Sequence, residues 1–406
     1  MTTGQAIMFL SVSDQLGGSE IALLQMISGI RRLRPSWKVH LVLPGHGPLL
    51  DRAERLGADC VILPMPKPLA RLGEFGSLHA RSPMIARLAL AARLSVVAIV
   101  LPGYLARLRR VARAASPSIL HTNGIKAHVL GARLDPNLRV VWHVHEYVGG
   151  RPVTRKLLRA HEGRVAIIVA NSGSVKRDIE AAVSPKAVVH VVHNAVDLDT
   201  FRPDGPVEDL DARAGLSAPV APVVRVGLVG TFARWKGHEV FLRALSALPG
   251  QPAVRGYVIG EAVYDTTGSQ YSLAELREMA RRLGIEDRIA FTGFLRPAPA
   301  MRALDVVVHA STQPEPFGLV VAEAMACGRA VITSAAGGAA ELVRPDQDAV
   351  THQPGDSNDL ARAIARLAAD ADLRRQLGAR ARIAAGERFH PDRMARELVD
   401  LYERVA

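Results

Sequence analysis

Cysteine is nearly absent: Cys60 and Cys327 are the only two in 406 residues, and both sit in apolar segments. A disulfide framework is excluded on that count, and a reduced, cytoplasmic setting is expected. Aromatic residues reach only 4%, too few to pave a base-stacking surface. No nucleic-acid-binding module is recognisable either, so a nucleic-acid partner is not expected. Long apolar runs are missing as well. The most apolar region, 85–101, is broken by Arg87 and Arg93, which excludes a spanning helix. The short run AIMFLS near the start has no basic segment before it and reads as a first strand, not a signal peptide.

Acids are in shorter supply than bases, 39 against 51, for a net charge of +12. The imbalance is local. Between residues 67 and 113 stand Lys67, Arg71, Arg81, Arg87, Arg93, Arg107, Arg109, Arg110 and Arg113 against the single acid Glu74. Leucine, valine and isoleucine are interleaved with them, as on a basic amphipathic surface for anionic lipid. A solvated helix face accounts for the same pattern.

What is present is a globular, apolar-rich chain, 49% hydrophobic, too long for one ordinary core. Short β-branched runs alternate with helical ones over residues 1–200, and the alternation resumes over 223–387. Such strands, spaced by helices, predict α/β architecture with two doubly wound, Rossmann-like parallel sheets. Residues 201–222, rich in proline, read as the linker region, and 388–406 as a C-terminal helix. In doubly wound domains ligands bind at the carboxyl ends of strands, so two such domains facing each other would hold theirs in the cleft between.

Those strand ends carry the candidate chemistry. Gly17-Gly18-Ser19-Glu20 opens the first helix, where a phosphate could meet backbone N–H groups, or where glycine serves only the turn. The strand RVVWHVH ends in His143, Val144 and His145, with His143 and His145 on one face by alternation and Glu146 next to them. A metal site there is not expected, because no third ligand is suitably spaced; a substrate hydrogen bond or a merely satisfied histidine are the alternatives. Arg234 and Lys236 lie in a glycine-bounded loop at a helix start, an arrangement suited to a diphosphate. Finally, Glu323 is the only charge in the apolar stretch from Pro316 to Gly328. A buried carboxylate costs several kcal/mol without a partner. Glu315 stands just before that helix, with Pro316 expected in its first turn.

Glu315-x7-Glu323 with Pro316-Phe317-Gly318-Leu319 inside it, the Arg-Trp-Lys-Gly loop, Gly17-Gly18 and His145 together resemble the retaining glycosyltransferases of family 4. The resemblance implies the GT-B fold, an N-terminal domain (1–200) for the acceptor, and a C-terminal domain (223–387) for a nucleoside-diphosphate sugar. It also implies that the 388–406 helix crosses back to the first domain. Glu323 would then hold the donor ribose, and Glu315 with the backbone of Phe317, Gly318 and Leu319 the transferring sugar. Lys236 and Arg234 would neutralise the diphosphate, Gly17 and Gly18 would contact phosphate, and His145 would face sugar and acceptor. Thr231 departs from the pattern, standing where the family usually has arginine, so Arg234 is expected to supply the cation.

With those charges no divalent metal or other cofactor is expected, and a hexosyl group would be transferred with retention to a lipid-linked or polysaccharide glycan. The two glutamates are not expected to flank one bond, since eight helical residues would separate their backbones by roughly 12 Å. A peripheral contact with anionic membrane through 67–113 would fit a lipid-linked acceptor. A nucleotide-sugar epimerase or hydrolase on the same fold is the alternative reading, and a non-catalytic nucleic-acid binder the more remote one.

Overall fold

Two all-parallel sheets organise the chain. The computed structural model describes residues 5–72, 83–183, 188–219, 221–250, 253–263 and 268–405, leaving aside the side chains of 83–90 and 93. Much of the basic region 67–113, with Arg81, Glu74 and the side chains of Arg87 and Arg93, therefore lies outside the described residues. No helix among them is long and apolar enough to cross a membrane.

The first compact unit joins Met1–His193 to Pro391–Ala406. Its strands are β1 (Ala6–Ser11), β2 (Lys38–Leu43), β3 (Asp59–Ile62), β4 (Ile119–Asn123), β5 (Arg139–Val144), β6 (Val165–Ala170) and β7 (Val189–Val191). Their order is β3-β2-β1-β4-β5-β6-β7. All five residues of β4 are buried, as expected where helices cover both faces of a parallel sheet. The terminal helix Pro391–Glu403 packs on the helix Gly18–Leu33 of the same unit.

The second unit is Asn194–His390. It holds β8 (Val224–Val229), β9 (Val254–Ile259), β10 (Ile289–Gly293), β11 (Val306–His309), β12 (Ala330–Ser334) and β13 (Val350–His352), ordered β10-β9-β8-β11-β12-β13. The proline-rich stretch after residue 200 is fastened to this unit rather than left free. The Arg302 guanidinium donates to the carbonyls of Thr200, Arg202 and Pro206, and Asp211 pairs with Arg225 and Arg255.

In both sheets the strand order reverses at one place, between β1 and β4 and between β8 and β11. Loops leaving the carboxyl ends of neighbouring strands diverge there, which opens a crevice for a ligand.

Candidate active site

At the reversal point of the second sheet, the loop after β8 makes a short 3-10 turn, Arg234–Lys236, and enters the helix His238–Ser246. Gly237 joins them in the left-handed region, φ +77°, and a Cβ there would lie 1.9 Å from the Ala310 carbonyl oxygen. Only glycine lets the loop press so closely on the end of β11. The Thr312 N–H donates to the Trp235 carbonyl at 2.8 Å and pins the loop from the same side. Lys236 is thereby aimed at the segment following β11. Its Nζ donates to Glu315 Oε1 at 2.7 Å.

The other Glu315 oxygen, Oε2, lies 2.6 Å from His309 Nε2 and accepts from the Ser311 hydroxyl at 3.0 Å. His309 is held in turn from β12, whose Thr333 Oγ1 stands 3.0 Å from its Nδ1. Burial alone would push the Glu315 carboxyl up, but the charges of Lys236 and His309 hold it well below the usual carboxylate range. Glu315 is therefore an ionised, immobilised carboxylate.

Glu323 is its opposite. It is buried in the helix Leu319–Ala326, and its carboxyl has no hydrogen-bonding or charged partner among the described residues. Burial pushes its pKa up to about 8. The helix begins at Leu319, not at Pro316 as expected. Gly318 takes a left-handed φ of +92°, and a Cβ on it would come 2.7 Å from that of Ala339. That backbone cannot continue a helix, while Phe317 is buried against Phe389. The eight-residue spacing between the glutamates is thus only partly helical, and the separation reckoned from helical rise does not apply. Their environments distinguish them instead: one is a paired anion, the other an unpaired acid. The Glu315 carbonyl accepts from Gly338 N–H at 2.7 Å, which ties the Phe-Gly turn to the start of the short helix Gly337–Glu341.

Arg234 is already occupied. Its Nη2 donates to Glu275 Oε1 at 2.9 Å, its Nε donates to the Gly268 carbonyl, and the guanidinium stacks on Tyr271 at 4.2 Å. To meet a phosphate it would have to leave Glu275. Thr231 lies in the same loop.

In the first unit, Gly17 precedes the helix Gly18–Leu33, and its N–H donates to the buried Glu20 carboxyl at 3.2 Å. A Cβ on Gly18 would meet no atom within 4 Å, so the helix start is open on that side. His145 follows β5. Its ring stacks on His143 at 4.2 Å, and neither of its nitrogens has a hydrogen-bond partner among the described residues. Burial pushes it down to about 4, so at neutral pH it is an uncharged imidazole that can donate and accept one hydrogen bond each. Among the described residues no three His, Cys, Asp or Glu side chains group as metal ligands.

The profile described as Glycosyltransferase Family 4 matches residues 16–200, and that of Glycosyl transferases group 1 matches residues 224–384. A Mycobacterium tuberculosis relative, GDP-mannose-dependent alpha-(1-6)-phosphatidylinositol monomannoside mannosyltransferase, is 30% identical over 281 residues, 66% of this chain and 70% of its own. This chain belongs to glycosyltransferase family 4. D-inositol 3-phosphate glycosyltransferase of Xylanimonas cellulosilytica is 37% identical over 223 residues, 53% of this chain and 51% of its own length. The chain spans about half the length of the first curated relatives it matches.

Among solved structures, Anabaena HepE in complex with UDP has a TM-score of 0.78 at 24% identity, covering 98% of this chain and all of that one. Sucrose-phosphate synthase of Thermosynechococcus elongatus follows at 0.74 and 22%, covering 99% of each chain. These likenesses show the fold, GT-B.

For a family 4 member the Glu-x7-Glu element was the most legible part of the site. What sequence reasoning missed is the support beneath it: His309, Ser311 and Thr333. The available signal was position, since His309 ends the strand at which the order reverses. Its partnership with Thr333 depends on the register that sets His309 beside it in β12.

Proposed function

We propose that the chain transfers a hexosyl group from a nucleoside-diphosphate sugar to a glycan acceptor, with retention of anomeric configuration and without a divalent metal. The observation that carries this reading is the Lys236–Glu315 pair, 2.7 Å long, part-buried at the reversal point of the second sheet. A cation fixed there stabilises charge on a departing diphosphate at little reorganisation cost. The ionised Glu315, with the N–H groups of Phe317, Gly318 and Leu319, accepts and donates hydrogen bonds to sugar hydroxyls. Glu323 gains from ribose hydroxyls the partners it lacks. Gly17 and Gly18 offer a helix start to phosphate, and the neutral His145 hydrogen-bonds the substrate. Arg234 adds a second cation once it is released from Glu275.

Lys236 stabilises the leaving diphosphate while the acceptor hydroxyl attacks from the same face, passing its proton to the departing phosphate oxygen. A lipid-linked acceptor is supported by the name of the mycobacterial relative, which acts on a phosphatidylinositol monomannoside. It would bring the basic 67–113 region against anionic membrane at the inner face of the cell. Proton NMR of the product decides the stereochemistry. An α-linked donor is expected to give an α-linked product in the presence of a chelator, and a β-linked product contradicts the assignment.

A further inference from the structure

The stacked partner of His145 belongs to a ladder that the proposed reaction has not used. Tyr402, on the terminal helix Pro391–Glu403, is fully buried, and its Oη lies 2.6 Å from His121 Nδ1 on β4. His121 Nε2 lies 3.2 Å from His143 Nδ1 on the neighbouring β5, and His143 carries the His145 ring. Burial pushes His121 down to about 3 and the His143 ring well below its ordinary value. The rings are therefore neutral, each with one N–H.

Hydrogen-bond direction follows from the phenol. Among the described residues Tyr402 Oη has no other acceptor for its proton, and a buried O–H left unpaired costs about 1–3 kcal/mol. It therefore donates to His121 Nδ1. His121 must then carry its proton on Nε2 and donate to His143 Nδ1, which leaves the His143 proton on Nε2, without a partner among the described residues; the reverse order would leave both that nitrogen and the phenol proton unpaired. Each ring has one remaining choice, and the phenol makes it.

We propose that Tyr402 is a positioning residue for His145: its hydroxyl fixes the tautomers of His121 and His143, and so the orientation of the ring on which His145 lies. The terminal helix is anchored for this task. Arg32 pairs with Asp392 at 2.6 Å and Arg34 with Glu403 at 2.9 Å. Gly29 lets it approach closely, since a Cβ there would meet that of Ala395 at 2.5 Å. The positioning role rests on the transferase reading; the tautomer assignment does not.

The test uses the full chain. Ring nitrogen NMR of the wild type is expected to show His121 and His143 as Nε2–H tautomers. Tyr402→Phe keeps the ring and removes the donor, so His121 is expected to show mixed tautomers. Loss of one buried hydrogen bond is expected to lower kcat roughly tenfold with donor KM little changed. His121→Gln can accept from Tyr402 and donate to His143, and is expected to recover most of the kcat that His121→Leu loses. Wild-type ring spectra and turnover in Tyr402→Phe would overturn the proposal. Should that variant not fold, equal kcat in the two His121 variants would overturn it too. The ring spectra need no substrate, so they decide the ladder even if the transferase reading fails.

Discussion

Lys236 Nζ sits 2.7 Å from Glu315 Oε1, and both side chains are mostly withdrawn from solvent. The ammonium keeps ionised a carboxylate that burial would otherwise protonate. Removing one member of such a pair strands the other, at about 3–5 kcal/mol. Lys236→Ala is expected to lower stability in urea by an amount of that order and to lower turnover at least a hundredfold. Adding Glu315→Gln to Lys236→Ala should restore stability and leave turnover lost. Near-normal turnover in Lys236→Ala would contradict the assignment.

Glu315 also sets a direction for acid unfolding. Its folded pKa is depressed, so its contribution is present above the ordinary carboxylate pKa and is lost as pH falls toward the folded value. Urea midpoints of the wild type and Glu315→Gln are expected to converge as pH drops below the ordinary carboxylate range. A difference that widens on acidification would overturn this reading.

Glu323 has the opposite sign. Its folded pKa, about 8, lies above the ordinary value, so its contribution is present below the unfolded pKa and is lost as pH rises through 8. Glu323→Gln is expected to gain stability relative to the wild type as pH rises from 5.5 to 8.5, while losing donor affinity. If ribose hydroxyls hold the carboxylate form, donor binding near neutral pH should release up to one proton. Calorimetry in two buffers of different ionisation enthalpy reads this directly, and equal heats in both would contradict it.

Arg234 is expected to act only after leaving Glu275. Glu275→Gln should then lower donor KM severalfold, while Arg234→Ala raises it. Unchanged donor kinetics in both variants would remove Arg234 from the site and leave Thr231 without a substitute cation.

Much of the fold was legible because both sheets are parallel and covered. The strand Val306–His309, for example, is buried along its whole length and reads as a β-branched run of three valines. The site was legible where a residue broke such a run, as Glu323 does, or where glycine adjoined a cation, as at Lys236-Gly237. What stayed hidden depends on distance in space. Thr333 reaches His309 only through strand register, and Tyr402 meets His121 across 281 residues of chain. The helix start at Leu319 turned on Gly318 adopting the left-handed region, for which local sequence offered Pro316 as the competing signal.

The central claim is that this chain binds a nucleoside-diphosphate sugar through Lys236, Glu315 and Glu323. A thermal-shift screen of UDP-, GDP- and ADP-sugars tests it most directly, since ligand at a hundred times its Kd stabilises the native state by about 2.7 kcal/mol. At least one donor is expected to raise the Tm of the wild type and to leave that of Glu323→Ala unmoved. A wild type that none of them shifts, or a Glu323→Ala variant shifted equally, would contradict the account.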